Sequence, residues 1–193
     1  MPLFNGPVDK KWTLFLDRDG VLNERLPGDY VRQPDAFAWK EGAREGLAAL
    51  SPAFGQVVVV TNQQGIGKGL MDTSELDNIH RLMLEQARAA GGRIDKVYFC
   101  GDLKDSGSVR RKPAVGMGLQ ARKDFPGIRF SQSVMVGDTI SDMRFGRRLG
   151  MITVLIDPRP DTARRVPALV DLRFHSLQGF AHYLQEQGLL EIE

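Results

Sequence analysis

Cysteine is nearly missing from this chain. Cys100 stands alone among 193 residues, so no intramolecular disulfide can form and a reducing compartment is expected. A dominant charge sign is also lacking. Lys and Arg number 26 against 24 Asp and Glu, for a formal net charge of +2. That balance leaves no electrostatic footprint for nucleic acid or for an anionic membrane. No stretch approaches the ~18 consecutive apolar residues of a membrane span. Residues 1–7, Met-Pro-Leu-Phe-Asn-Gly-Pro, carry neither the basic stretch nor the apolar segment of a secretory signal. A cytoplasmic protein is expected, without membrane or nucleic-acid partners. Internal repeats and Pro- or Ser-rich linkers are absent too, so residues 1–193 should form a single domain, and a monomer is expected.

Apolar residues make up 42% of the chain, enough for a full core, and their order is informative. Strand-like runs occur at Trp12 to Leu16, Val57 to Val60, Val97 to Phe99, Val134 to Val136 and Ile152 to Ile156. A weaker sixth lies at Leu169 to Phe174. Four consecutive valines at 57–60 suit a strand buried on both faces, as in a parallel sheet. Helical patterns fill the gaps: Gly42 to Leu50, Gly116 to Phe125, Ile140 to Leu149 and Leu177 to Gln187. The clearest begins at Asp72, with Glu75 placed for a capping box, and Gly91-Gly92 ends it. Strand alternating with helix predicts an α/β fold, a three-layer, doubly wound (Rossmann-like) parallel sheet with helices on both faces.

Ligands of such sheets bind outside the carboxyl ends of the strands, so the residues after each apolar run matter most. After the first comes Asp17-Arg18-Asp19-Gly20-Val21. Two carboxylates two apart can divide the work of nucleophile and general acid/base; a plain solvated Asp-Gly turn reads the same way. Thr61-Asn62-Gln63-Gln64-Gly65 follows the second run and offers a hydroxyl and amides for phosphoryl oxygens, or only a polar loop. Past the third, Arg110-Arg111-Lys112-Pro113 offers a lysine to neutralise a transferring phosphoryl group, or a surface basic patch. Gly137-Asp138-Thr139-Ile140-Ser141-Asp142 follows the fourth. There Asp138 can complete a hard-cation site with Asp17, or cap a helix, and Asp142 can be an ordinary exposed helix residue. Four compatible polar motifs after four successive strands make chance a poor explanation.

This constellation resembles the haloacid dehalogenase superfamily of phosphohydrolases over roughly residues 11 to 156. Asp17-x-Asp19 looks like its first motif, Thr61 its second, Lys112 its third, and Gly137-Asp138-x-x-x-Asp142 its fourth. The resemblance implies Mg²⁺ held by the Asp17 carboxylate, the Asp19 backbone carbonyl and Asp138, with an aspartyl-phosphate formed on Asp17. Asp19, Thr61 and Lys112 would complete the catalytic set, and Asp142 would stand behind the metal ligands. The longer strings Asp17 to Asn23, Thr61 to Ile66 and Arg111-Lys112-Pro113 are similar to the branch containing heptose-bisphosphate and histidinol phosphatases. In that branch the counterpart of Arg111 recognises substrate, and the loop bearing Asn62, Gln63 and Gln64 lines the phosphate pocket. Only twelve residues separate Phe99 from Lys112, too few for the cap domain that many superfamily members insert. An open site is expected, walled by the Asn23 to Trp39 loop and the segment from Cys100 to Arg110.

The sequence departs from that branch in one place. The Cys-x-His and later Cys-x-Cys that hold structural zinc reduce here to Cys100-Gly101-Asp102. Four Cys or His ligands are not available, so no structural zinc is expected. Hydrogen bonds and packing from Val109 are expected to place Lys112 instead. The implied activity is Mg²⁺-dependent hydrolysis of a small phosphorylated metabolite. D-glycero-D-manno-heptose 1,7-bisphosphate, cleaved at carbon 7, leads; histidinol phosphate is the alternative. A phosphotransferase using the same intermediate would look identical. A polynucleotide 3′-phosphatase would want a basic groove with stacking aromatics. A non-catalytic phosphate-binding module would be expected to have lost Asp17 or Asp19. His80, His175 and His182 fall away from the motifs and are expected to be structural. Trp39 either shields substrate or packs in the core.

Overall fold

A computed structural model describes residues 3–157 and 167–190. Its strands are β1 (Thr13–Leu16), β2 (Gln56–Asn62), β3 (Lys96–Cys100), β4 (Ser133–Gly137), β5 (Ile152–Ile156) and β6 (Leu172–Phe174). They form one sheet in the order β3-β2-β1-β4-β5-β6, every neighbouring pair parallel. The helices are α1 (Ala43–Leu50), α2 (Gln64–Gly67), α3 (Thr73–Ala89), α4 (Gly116–Asp124), α5 (Ile140–Leu149) and α6 (Leu177–Glu186). The doubly wound parallel architecture expected from the strand–helix alternation is the one observed.

Side chains of a strand alternate between faces, and β1 shows what this does. Leu14 and Leu16 join the larger core cluster, with Val57 and Val59 of β2, Leu47 of α1, Ile79 of α3 and Phe180 of α6. Phe15 points the other way, into a second cluster with Val58, Val60, Met117 of α4 and Phe145 of α5. Burial on both faces explains why these strands read as unbroken apolar runs.

Helix α3 starts as anticipated. The Asp72 side chain accepts from the Glu75 amide at 2.8 Å, and Glu75 returns the bond to the Asp72 amide. Helix α5 is capped differently. Thr139, not Asp138, is the N-cap, in a capping box with Asp142. Asp138 is therefore left free of capping duty. Helix α2 and the short 3-10 turns at Pro34–Ala36, Phe130–Gln132 and Pro167–Leu169 were not anticipated, being too brief to carry a period. Trp39 packs edge-on against Phe37 at 5.4 Å and donates from Nε1 to Gln86 Oε1 at 2.6 Å, so its role is packing. Among the described residues no helix is long and apolar enough to cross a membrane.

Strand β1 lies between β2 and β4, where the winding reverses direction. The carboxyl end of β1 is thus the topological switch point, the place where such sheets bind ligands.

Candidate active site

Asp17 is the first residue past β1, and its amide donates to Val136 O of β4 at 2.9 Å. The chain then turns tightly: the amides of Leu22 and Asn23 both reach Arg18 O. Gly20 takes φ +90°, and a Cβ there would come within 2.1 Å of Asp138 Oδ2. Only glycine allows both the backbone angle and the approach of Asp138.

Three carboxylates converge here. One oxygen from each of Asp17, Asp138 and Asp142 lies within 4.8 Å of the others. Lys112 enters from the opposite wall, with Nζ 2.9 Å from Asp17 Oδ1 and 2.5 Å from Asp142 Oδ1. Neither is a surface group: Lys112 is 3% exposed and Asp142 0%. That overturns both the basic-patch reading of Lys112 and the exposed-helix reading of Asp142. The other oxygen of Asp142 accepts from the Thr139 amide at 3.0 Å and from Thr139 Oγ1 at 2.5 Å. Asp142 therefore links the start of α5 to the lysine.

Lys112 is not placed by Val109, whose side chain is 76% exposed. Asn62 holds it instead. Asn62 Nδ2 donates to Lys112 O at 3.1 Å, and the Lys112 amide donates to Asn62 Oδ1 at 3.0 Å. The amide expected to meet substrate is thus spent on the lysine backbone.

Electrostatics follow from this crowding. Burial, then the Asp142 charge, push Asp17 up to about 6 against the pull of Lys112. Burial, then Asp17 and Asp142, push Asp138 up to about 8. Lys112 is raised: burial opposes its charge, but Asp142 and Asp17 outweigh it.

Asp19 has a separate environment. Arg18, fully buried, donates from Nη2 to both Asp19 oxygens at 2.9 and 3.1 Å. Asn23 Nδ2 and Gln63 Nε2 add bonds of 2.9 and 2.7 Å. Burial works against the charge, yet Arg18, then Asn23, hold the Asp19 carboxyl below its ordinary value. Gln63 does not line the cleft as anticipated. It is buried beneath Asp19, donating also to Thr61 Oγ1 at 2.8 Å. His80 is closer to the motifs than its sequence position implied: Nε2 lies 3.3 Å from Arg18 Nη1. Burial, then Arg18, push it down to about 3, so it is neutral and accepts from Arg18.

Sequence reasoning missed Arg25 altogether. Its Nη2 donates to Asp138 Oδ1 at 2.8 Å and to Asp19 O at 3.3 Å. A cation already finds these two oxygens converging on one position, although they come from opposite ends of the site's sequence. Together with Asp17 they make an all-oxygen, strongly acidic donor set, which fits a hard divalent cation such as Mg²⁺.

The carboxylates open into a cleft of about 1100 Å³. Thr61, Gln64 and Arg111 line it, as does Asn62. Gln64 Nε2 donates to Tyr30 OH at 3.4 Å, and Arg111 Nη1 to Asp102 O at 3.0 Å. The anticipated walls are present. Residues 25–31 form one, in a loop closed at its neck by a bridge between Asn23 and Trp39. The segment after β3 forms the other, through Lys104, Asp105 and Ser108. Cys100, buried at the end of β3, donates to Asp102 Oδ2 at 3.3 Å.

Comparison with known proteins agrees with this geometry. The HAD-hydrolase-like family matches residues 109–163. A D-glycero-α-D-manno-heptose-1,7-bisphosphate 7-phosphatase of Mycobacterium bovis is 38% identical over 139 residues, 72% of this chain and 73% of the relative. A D-glycero-β-D-manno-heptose-1,7-bisphosphate 7-phosphatase of Vibrio cholerae is 33% identical over 182 residues, 90% of this chain and 96% of its own. The D,D-heptose 1,7-bisphosphate phosphatase of B. bronchiseptica, solved with magnesium and phosphate, superposes with a TM-score of 0.80 at 27% identity. It covers 91% of this chain and 99% of its own. With its switch-point carboxylates, its buried lysine and these relatives, the chain belongs to the heptose-1,7-bisphosphate 7-phosphatase family of the haloacid dehalogenase superfamily.

Proposed function

We propose that this protein is a Mg²⁺-dependent phosphatase that removes the carbon-7 phosphate of a heptose 1,7-bisphosphate. The observation that carries the reading is the junction of Asp17, Asp138, Asp142 and Lys112 at the switch point of the sheet, inside an open cleft. The Asp17 and Asp138 carboxylates and the Asp19 carbonyl are the residues to hold the ion, which supplies positive charge where one anion must attack another.

Each side chain then has a task. Asp17 Oδ1 is taken by Lys112 Nζ and the Arg18 amide, which leaves Oδ2 to attack phosphorus. The bond from phosphorus to the sugar oxygen breaks, and Asp19 gives that oxygen its proton. Asp19 then takes a proton from water, whose oxygen attacks the aspartyl-phosphate and frees Asp17 and inorganic phosphate. Arg18 holds Asp19 as a carboxylate in the arrangement described. That state suits the base step; for the acid step Asp19 must first take a proton from solvent as it exchanges Arg18 for the leaving oxygen, and that proton is the one it donates. Lys112 neutralises charge on the transferring group. Thr61 and the neighbouring backbone amides face the phosphoryl oxygens, Gln64 and Arg111 the rest of the substrate. These residues complete the site within one protomer, and the partner they fit is a small phosphorylated metabolite. The near-neutral charge and lone cysteine support a cytoplasmic setting.

The test is turnover of purified protein on both anomers of the heptose bisphosphate, histidinol phosphate and p-nitrophenyl phosphate, with Mg²⁺ or chelator. The bisphosphate should lead and chelation should silence it reversibly. Asp17→Asn should lower kcat by at least ~10³-fold with the fold intact, because an amide cannot form the acyl phosphate. Equal rates on the sugar bisphosphate and the aryl phosphate would defeat the substrate assignment. Retained activity in Asp17→Asn would defeat the mechanism.

A further inference from the structure

Arg25 occupies an unexpected place. It belongs to the loop that walls the cleft, yet its guanidinium lies against Asp138 Oδ1 and Asp19 O. These are two of the three groups assigned to the divalent ion. A guanidinium and a divalent cation cannot share those oxygens without strong mutual repulsion. The side chain is also 49% exposed, so it is free to leave toward solvent and the cleft rather than locked in a core.

We propose that Arg25 competes with the divalent cation for Asp138 and Asp19 and, once displaced, binds the phosphoryl oxygens of the substrate. The inference rests on the metal site assigned above. In the metal-free protein Arg25 donates to Asp138 Oδ1 and to the Asp19 carbonyl and so keeps both oxygens occupied. Divalent ion at the same oxygens expels the guanidinium into the cleft lined by residues 25–31. There a phosphate offers two oxygens to the planar fork of the Arg25 guanidinium, a bidentate match. Phosphate therefore removes the competitor, and by linkage the metal and the phosphate strengthen each other's binding. Arg25 becomes a residue that couples the two ligands.

Calorimetric titration of Mg²⁺ into the protein, with and without saturating inorganic phosphate, reads this directly. Arg25→Gln should tighten Mg²⁺ in the absence of phosphate by about two- to five-fold, the scale of one half-exposed ion pair. It should also shrink the factor by which phosphate tightens Mg²⁺ in the wild type. Arg25→Lys, which keeps the charge without the fork, should still compete with Mg²⁺ but lose part of the phosphate coupling. Lys104→Gln removes another cation of the cleft and should leave Mg²⁺ affinity nearly unchanged.

Unchanged or weaker Mg²⁺ binding in Arg25→Gln would overturn the proposal, as would equal tightening by Lys104→Gln. An absence of Mg²⁺ binding in wild type and variants alike would overturn it together with the metal site. Failure to hydrolyse the heptose bisphosphate, with these binding shifts intact, would overturn only the substrate assignment.

Discussion

Asp17 and Asp138 sit where ionisation is resisted, first by burial, then by the Asp142 charge for Asp17 and by Asp17 and Asp142 for Asp138. Their folded values of about 6 and about 8 stand above the ordinary 3.8. In the metal-free fold each keeps its proton up to those values, while the unfolded chain releases it near 3.8. The metal-free protein should therefore lose stability as pH rises from about 4 to 8. Mg²⁺ selects the ionised carboxylates, so its affinity should rise with pH between 6 and 8. Melting with and without Mg²⁺ checks this: the Mg²⁺-induced rise in Tm should be larger at pH 8 than at pH 6, and an equal rise would contradict it. At this scale the sequence was legible wherever a residue follows a strand directly, as Asp17 and Asp138 do. It was opaque for Arg18, Arg25, Gln63 and His80, because their roles depend on where a long side chain points. Spacing along the chain does not carry that information.

Asn62 ends β2 and fixes the loop that delivers Lys112 through two hydrogen bonds. Asn62→Ala should cost ~1–3 kcal/mol of stability, since part-buried backbone groups lose their partners. It should lower kcat more than it raises KM, because Lys112 acts on the transferring group; a pure KM effect would instead return Asn62 to substrate binding. Packing between α1 and α6 offers a second test. A Cβ on Gly46 would lie 2.5 Å from the Gln178 amide nitrogen and 2.5 Å from the Leu177 carbonyl carbon. Gly46→Ala should push the helices apart at a cost of ~1–3 kcal/mol, lowering Tm by roughly 2–12 °C with the site untouched. Elements with a period were readable to within a residue: α5 runs Ile140–Leu149 as anticipated, though its cap is Thr139 and not Asp138. Helix α2 was not, because four residues containing two glycines have none.

Across the whole molecule, the connection from β3 to Lys112 is short and carries no cysteine beyond Cys100 itself. Relative to a longer connection its closure is cheap, since each doubling of loop length adds only ~0.6 kcal/mol. Protein purified without chelator should therefore contain no stoichiometric zinc by elemental analysis. Cys100→Ser should melt within ~2 °C of the wild type, as a small change near one thiol; zinc lost together with stability would show a metal clip in this loop. The central position of β1 has another consequence, for the nascent chain. It leaves the ribosome before the other five described strands, yet the partner on one of its sides, β4, follows about 120 residues later. Until then that edge of β1 is open to wrong neighbours, and Asp17 has neither Asp138 nor Asp142 beside it. Phosphatase activity should switch on late in synthesis, no earlier than the emergence of α5, which makes enzyme turnover itself a clock for when translation delivers the second flank of β1.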